Sequence, residues 1–249
     1  EAAASVKGVP YHPGAAKYFE EKGFKVDAVK EGAGNGTASA LSFGTGGESG
    51  TYYAFGGVLA SFVSGKSNCK VTALTSGGSQ ANVEDLTNGN VQLAFVQSDV
   101  MNYAYNGQRL FDSPVTGFSV VAQLYQEQVQ IVTTNPDIKT VEDLKGKTVS
   151  IGALGSGVYF NAVDVLGVYG IDAEKDITPV YQSFGDSAES LKDGKIDAAF
   201  IVAGAPTTAI TDLATAGSVY LVSLDDSHVQ SLLSASPYYT AATIKAGTY

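Results

Sequence analysis

A chain of 249 residues, 44% hydrophobic and 16% charged, has material for one large domain or two ordinary ones with sizeable cores, which excludes a disordered polymer. Twenty-five acidic against fifteen basic residues give a net charge of −10, which argues against nucleic acid as a partner. Two histidines and one cysteine, Cys69, leave almost no zinc ligands and no intrachain disulfide.

Along the chain, "VPYHPGAAKYFEEKGF" (residues 9–24) reads as a helix opened by Pro13 and closed by Gly23, with His12 as a surface or capping residue. "KEGAGNGTASA" (30–40) reads as a flexible linker. "LSFGTGGESGTYYAFGGVLA" (41–60) then places a short apolar strand, a glycine loop and an amphipathic helix in succession. "VEDLTNGNVQLAFVQSD" reads as a helix end, a glycine stop and a strand carrying Ala-Phe. A β-rich run, "FSVVAQLYQEQVQIVTT" (118–134), carries the chain across to "VEDLKGK", a short helix and turn.

The order of elements then repeats. "TVSIGALGSGVYFNAVDVLG" matches the first strand, glycine loop, aromatic and helix, and "AESLKDGKIDAAFIVAG" matches the first helix end and Ala-Phe strand. Gly44 to Phe95 spans 51 positions and Gly152 to Phe200 spans 48. Strands alternating with helices predict parallel α/β architecture, and two such units predict two lobes. Each lobe would aim a glycine loop and a helix N-terminus from the carboxyl end of a strand, where open α/β sheets bind ligands.

Such a loop presents bare N–H groups and the positive end of a helix dipole, which suits an anion. "GTGGESG" lacks the Lys-Ser/Thr ending of a P-loop, and the dinucleotide spacing is absent. One glycine loop alone is read as tight helix–strand packing; two facing loops are read as a ligand cleft. Of Tyr52/Tyr53, and of Tyr159/Phe160 in the second half, one member should face the core and the other the cleft. Ser49, Ser79 and Ser156 lack a nucleophile elbow, His228 stands near a helix start, and no carboxylate pair has acid/base spacing, so no catalytic residues are assigned.

The segments "FGTGG..G.YY..GG.LA", "TSGGSQANVEDLTNGNVQLAFVQSD", "VAQLY.E" and "IGALGSGV" together resemble the TAXI family, the extracytoplasmic solute-binding proteins of TRAP transporters, over most of residues 41–249. The resemblance implies a two-lobed, Venus-flytrap periplasmic binding protein fold of type II, α/β throughout. It implies capture of a small carboxylate or amino acid, glutamate-like or GABA-like, and delivery to TRAP membrane permease subunits. The protein would be a non-enzyme, without cofactor or metal, acting as a monomer in the periplasm. Carried over by position, the ligand contacts are Gly46, Gly47, Tyr52, Ser79, Asn82, Gln97, Ser98, Tyr125, Ser156, Gly157 and Ala203; Gln97 and Ser98 could equally end a strand and cap the next helix. Glu48 joins them as a residue that either points to solvent or pairs with a ligand ammonium.

The chain departs from the family pattern in three places. Glu48 stands where the family has a Thr or similar small residue, and Ala54 stands where it often has Pro. Residues 9–24 resemble the end of a family member yet precede the glycine loop. This order suggests an engineered circular permutation or a fragment of a larger chain such as a ligand biosensor, whereas the lack of a signal peptide before Glu1 fits a mature exported protein or a trimmed chain. The expected division is a first lobe of residues 1–124, holding the permuted helix 9–24 and the linker 30–40, completed by a returning hinge segment 236–249. The second lobe is 125–235. An enzyme on the same fold and an engineered sensor module are the alternative readings.

Overall fold

The computed structural model describes residues 2–29 and 38–249; residues 30–37 of the expected linker lie outside them. Helix α1 (Pro13–Glu21) is followed by β1 (Ala40–Gly44), α2 (Thr51–Lys66), β2 (Lys70–Leu74), α3 (Ser79–Thr87), β3 (Leu93–Ala94) and α4 (Ser98–Asn106). A second run comprises β4 (Gln128–Thr133), β5 (Thr148–Ser150), α5 (Val158–Val168), β6 (Thr178–Val180), α6 (Phe184–Lys192) and β7 (Ala198–Ala203). It ends with α7 (Thr208–Ala216), β8 (Tyr220–Leu221) and α8 (Asp226–Ala235).

The sequence echo is a structural one. The first sheet is parallel in the order β2-β1-β3, and the second contains the matching parallel order β6-β5-β7. Each unit thus places its first strand centrally and sends its glycine loop from that strand's carboxyl end. Only the second sheet is extended. Strand β4 runs antiparallel to β7, Gln128 opposite Ala203, and β8 pairs with β4, giving β6-β5-β7-β4-β8.

The second sheet is covered on both faces, as its uninterrupted apolar strand "AAFIVA" requires. Ile131, Phe200 and Val202 pack on one face with Ile151, Val165 and Leu166, whereas Val132, Ala199 and Ile201 pack on the other with Leu191 and Ile210. The first sheet has one small buried cluster, Phe43, Ala60, Val71 and Phe95. Of the β-rich run 118–134, only Gln128–Thr133 forms a ladder strand; earlier in the run Val120 makes an isolated bridge to Tyr11.

Helix α1 is capped by His12, whose Nδ1 accepts from the Gly14 N–H at 3.1 Å. Its buried Phe19, with Val9 and Tyr11, packs on Met101 of α4 and on Val120. At the other end of the chain, Tyr238 meets Tyr103 beside the first unit, while the Tyr249 hydroxyl accepts from the Thr207 N–H at 2.9 Å on the second. The segment 236–249 therefore does not simply return to the first unit, because its terminal tyrosine docks on polar groups at the carboxyl end of β7.

Candidate functional site

Between the two units lies a cavity of about 360 Å³, in the size range of metabolite pockets. Three helices begin at its wall with a glycine N-cap and no side-chain cap: α2 at Gly50, α3 at Gly78 and α5 at Gly157. Their first-turn N–H groups have no helical acceptor, so the cavity gathers donors and helix-dipole ends from both units. A fourth helix that begins at the wall, α6, is capped by the Ser183 hydroxyl, which accepts from the Asp186 N–H at 3.2 Å. The three uncapped ends are what an anion site uses.

The units touch around this cavity. The Ala81 N–H donates to the Gly155 carbonyl at 2.9 Å, the Ala209 N–H to the Ser49 carbonyl at 3.3 Å, and the Thr51 hydroxyl to the Gly204 carbonyl at 3.3 Å. A Cβ placed on Gly157 would sit 1.4 Å from Gln97 Oε1. Gln97 is held there because its Nε2 donates to Asn161 Oδ1 at 2.7 Å and its N–H to Ser79 Oγ at 3.1 Å.

Of the residues assigned from sequence, Gly46, Gly47, Glu48, Tyr52, Ser79, Gln97, Ser156, Gly157 and Ala203 line the cavity. Three do not. Asn82 is fully buried behind the wall, its Nδ2 donating to the Thr45 and Phe95 carbonyls at 2.8 and 2.7 Å, so it ties β1 to β3. Ser98 and Tyr125 border a larger apolar groove of about 1430 Å³ beside the first sheet, lined by Phe43, Leu59, Val63 and Leu124, which meets the cavity at Tyr52, Gln97 and Glu127. Ser98 begins α4, and the Tyr125 ring packs edge-on against Phe55.

The aromatic pairs behave differently in the two units. Tyr52 does double duty, its ring stacked on Phe95 at 5.0 Å and its face on the cavity. In the second unit Phe160 is buried against Tyr103 and Tyr159 contacts Tyr181, so neither lines the cavity. Because α5 spends that turn on packing against α4, the second unit's aromatic at the cavity is instead Phe184 of α6.

The wall also holds Glu127, a residue that sequence reasoning misses. Its Oε2 accepts from the Tyr52 hydroxyl at 3.0 Å, and that hydroxyl lies 3.4 Å from Ser79 Oγ. Burial pushes the Glu127 carboxyl up to about 8, with Asp99 adding repulsion against the Tyr52 bond. The Tyr52 phenol is pushed well up by burial and by the Glu127 charge. A signal was available: Glu127 is the sole charged residue of the run 118–134, and only Tyr125 is assigned from that stretch.

Behind the cavity a polar network joins α4 to α5. Asn161 Nδ2 donates to Asp99 Oδ2 at 2.9 Å, and the Tyr239 hydroxyl donates to Asp164 Oδ2 at 2.9 Å. Arg109, after α4, pairs with Asp164 and covers the Tyr103 ring at 5.1 Å. Burial raises the Asp99 carboxyl to about 6, opposed by its bonds from the Val100 N–H and Asn161.

Comparison with known proteins places the chain in the NMT1-like family, whose signature matches residues 43–249; the chain belongs to that family. Among solved structures it is similar to the alkanesulfonate-binding protein SsuA from Xanthomonas axonopodis pv. citri bound to MOPS, at 20% identity and a TM-score of 0.52 over 76% of this chain and 61% of that one. An ancestral arginine-binding protein bound to arginine matches at 19% identity and 0.52, covering 75% of this chain and 80% of that one. The binding protein component of an ABC phosphonate transporter from Pseudomonas aeruginosa matches at 13% and 0.53, covering 80% and 73%. The fold is the α/β fold of type II periplasmic binding proteins. The chain spans about three fifths of the length of the sulfonate-binding proteins it matches. Among the described residues no helix is long and apolar enough to cross a membrane.

Proposed function

We propose that this chain is an extracytoplasmic solute-binding protein that closes two lobes on a small carboxylate or amino acid and presents it to a transporter of the TRAP type. The single observation that carries the reading is the convergence of three glycine-headed helix N-termini, from both units, on one cavity. Backbone N–H groups and dipole ends recognise a carboxylate without a basic side chain. Closure is a hinge motion between the units, with Gln97 of the first unit packed where a side chain on Gly157 of the second would stand.

The TAXI-like segments, including the glycine loop and "VAQLYQE", support the transporter class, and membership of the NMT1-like family supports solute binding. Matched proteins named as binding a sulfonate buffer and arginine fit a cavity for small polar ligands. The docking of residues 9–21 on α4 and Val120 supports the reading of a rearranged chain order.

Thermal denaturation with a panel of amino acids and dicarboxylates tests the function. A ligand binding only the native state raises Tm with concentration, by about 2.7 kcal/mol of stabilisation at a hundredfold excess over Kd. No concentration-dependent shift with any member of the panel would sink the reading.

A further inference from the structure

The cavity lining contains three carboxyl groups, from Glu48, Glu127 and Asp186, and no Lys, Arg or His. Two of the three sit in exposed residues: Glu48 is solvated, and Asp186 accepts from the Ser183 hydroxyl at 2.6 Å. Glu127 is the one held inward, fixed by the Tyr52 hydroxyl, and among the described residues it takes part in no ion pair. The chain's arginine, Arg109, is committed to Asp164 behind the cavity. A half-buried carboxyl without a counter-ion keeps its proton instead of a charge, and a cationic group arriving with a ligand lets it ionise.

A second observation points to a ligand independently. The Ser156 hydroxyl lines the cavity, is more than nine-tenths buried and has no hydrogen-bond partner. Groups of this kind in a cavity wall are completed by what fills the cavity.

We propose that Glu127 is the specificity-determining residue of this cavity, selecting a ligand that carries a cationic nitrogen in addition to the anionic group held by the helix N-termini. This deepens, and rests on, the solute-binding reading above. The preferred ligand is then a zwitterion, and a plain carboxylate gains nothing from Glu127, which stays protonated beside it. The carboxylate that selects an ammonium is Glu127 in the wall, in place of Glu48 at the rim.

The groups facing Glu127 are Tyr52 from α2, Tyr125 on its own segment and Asp99 from α4, none of them basic. With its carboxyl pushed up to about 8 by burial, Glu127 holds a proton at neutral pH. A cationic ligand favours the ionised form, so binding expels that proton to solvent.

The test is isothermal titration calorimetry at pH 7 with two ligand pairs, L-glutamate with glutarate and 4-aminobutyrate with butyrate, in phosphate and in Tris. The wild type is expected to prefer the ammonium-bearing member of at least one pair by about tenfold or more, with buffer-dependent heat reporting proton release. Glu127→Gln should remove that preference and the proton release while leaving the deaminated partner bound as before or more tightly. Proton release is read on the wild-type protein, so it stands even if the variant fails to fold. Wild-type preference for the deaminated members, or a preference that survives in Glu127→Gln, overturns the assignment and leaves solute binding intact. Absence of binding by all four compounds overturns both.

Discussion

The two βαβαβ units share strand order, glycine loop and helix geometry, yet they are supported differently. In the second, β4 and β8 extend the sheet beyond β7, and both faces are buried. In the first, the corresponding side of β3 is bordered by the large apolar groove, and α2 leaves Val58 and Phe62 66% and 62% exposed. The cavity-facing half of each unit is therefore set by the local strand–loop–helix sequence, whereas its stability comes from what covers the sheet. The first unit borrows support from α1 through Phe19 and from the second unit through Asn161.

The largest effect should come from breaking the better-covered unit. Phe200→Ala opens a fully buried site and is expected to cost about 3–5 kcal/mol in denaturant unfolding, while Phe62→Ala should stay within about 0.5 kcal/mol. Equal losses for the two would erase the contrast.

Next comes the seam between the units. Asn161→Ala removes bonds to Gln97, Asp99 and Tyr239 and leaves the Asp99 carboxyl buried without its side-chain donor. A loss of about 2–3 kcal/mol is expected, accompanied by weaker ligand binding because Gln97 is freed. Destabilisation without any change in affinity would show that Gln97 does not need this anchor.

The pH dependence has a definite sign. Glu127 is raised from 4.5 to about 8 in the folded chain, so the folded state keeps a proton that the unfolded chain has lost. Its contribution to stability is fully present below about pH 4.5 and is lost as pH rises through about 8; Asp99, raised to about 6, acts in the same direction. The ligand-free protein should therefore lose roughly 2 kcal/mol between pH 6 and pH 8 from Glu127, and Glu127→Gln should flatten that slope. A stability that rises over this range would contradict a half-buried Glu127 carboxyl without a charge partner.

A smaller effect separates the two glycine loops. Gly157→Ala forces Gln97 away and should weaken ligand by about tenfold, whereas Gly47→Ala, where an added Cβ meets nothing within 4 Å, should leave affinity unchanged. Smallest of all is Glu48→Gln: this solvated side chain should alter neither affinity nor the preference between amino acid and deaminated analogue, checked by calorimetry.

How much of this is legible in the sequence differs by region in the same way. The repeated strand, glycine loop and helix are local patterns that point to the α/β class and the two glycine loops, while the family resemblance supplies the positions, nine of which, from Gly46 to Ala203, line the cavity. Asn82 misleads because a polar residue after "GGSQ" looks identical whether it faces ligand or two backbone carbonyls. Glu127 is passed over because its value depends on Tyr52, 75 positions away, and on the lack of any cation beside it. Burial of that kind is a property of the assembled wall. The extension of one sheet and not the other likewise follows from long-range pairing of β4, a strand that the sequence shows only as part of a longer β-rich run.

The central claim is that both glycine loops bind one ligand in the cavity between the units. Titrating ¹⁵N-labelled protein with L-glutamate and following amide resonances tests it directly. The account predicts that Gly46, Gly47 and Tyr52 of the first loop and Ser156, Gly157 and Val158 of the second shift together with one Kd. Shifts confined to a single loop, or centred on Phe43 and Leu124 in the apolar groove, would contradict it.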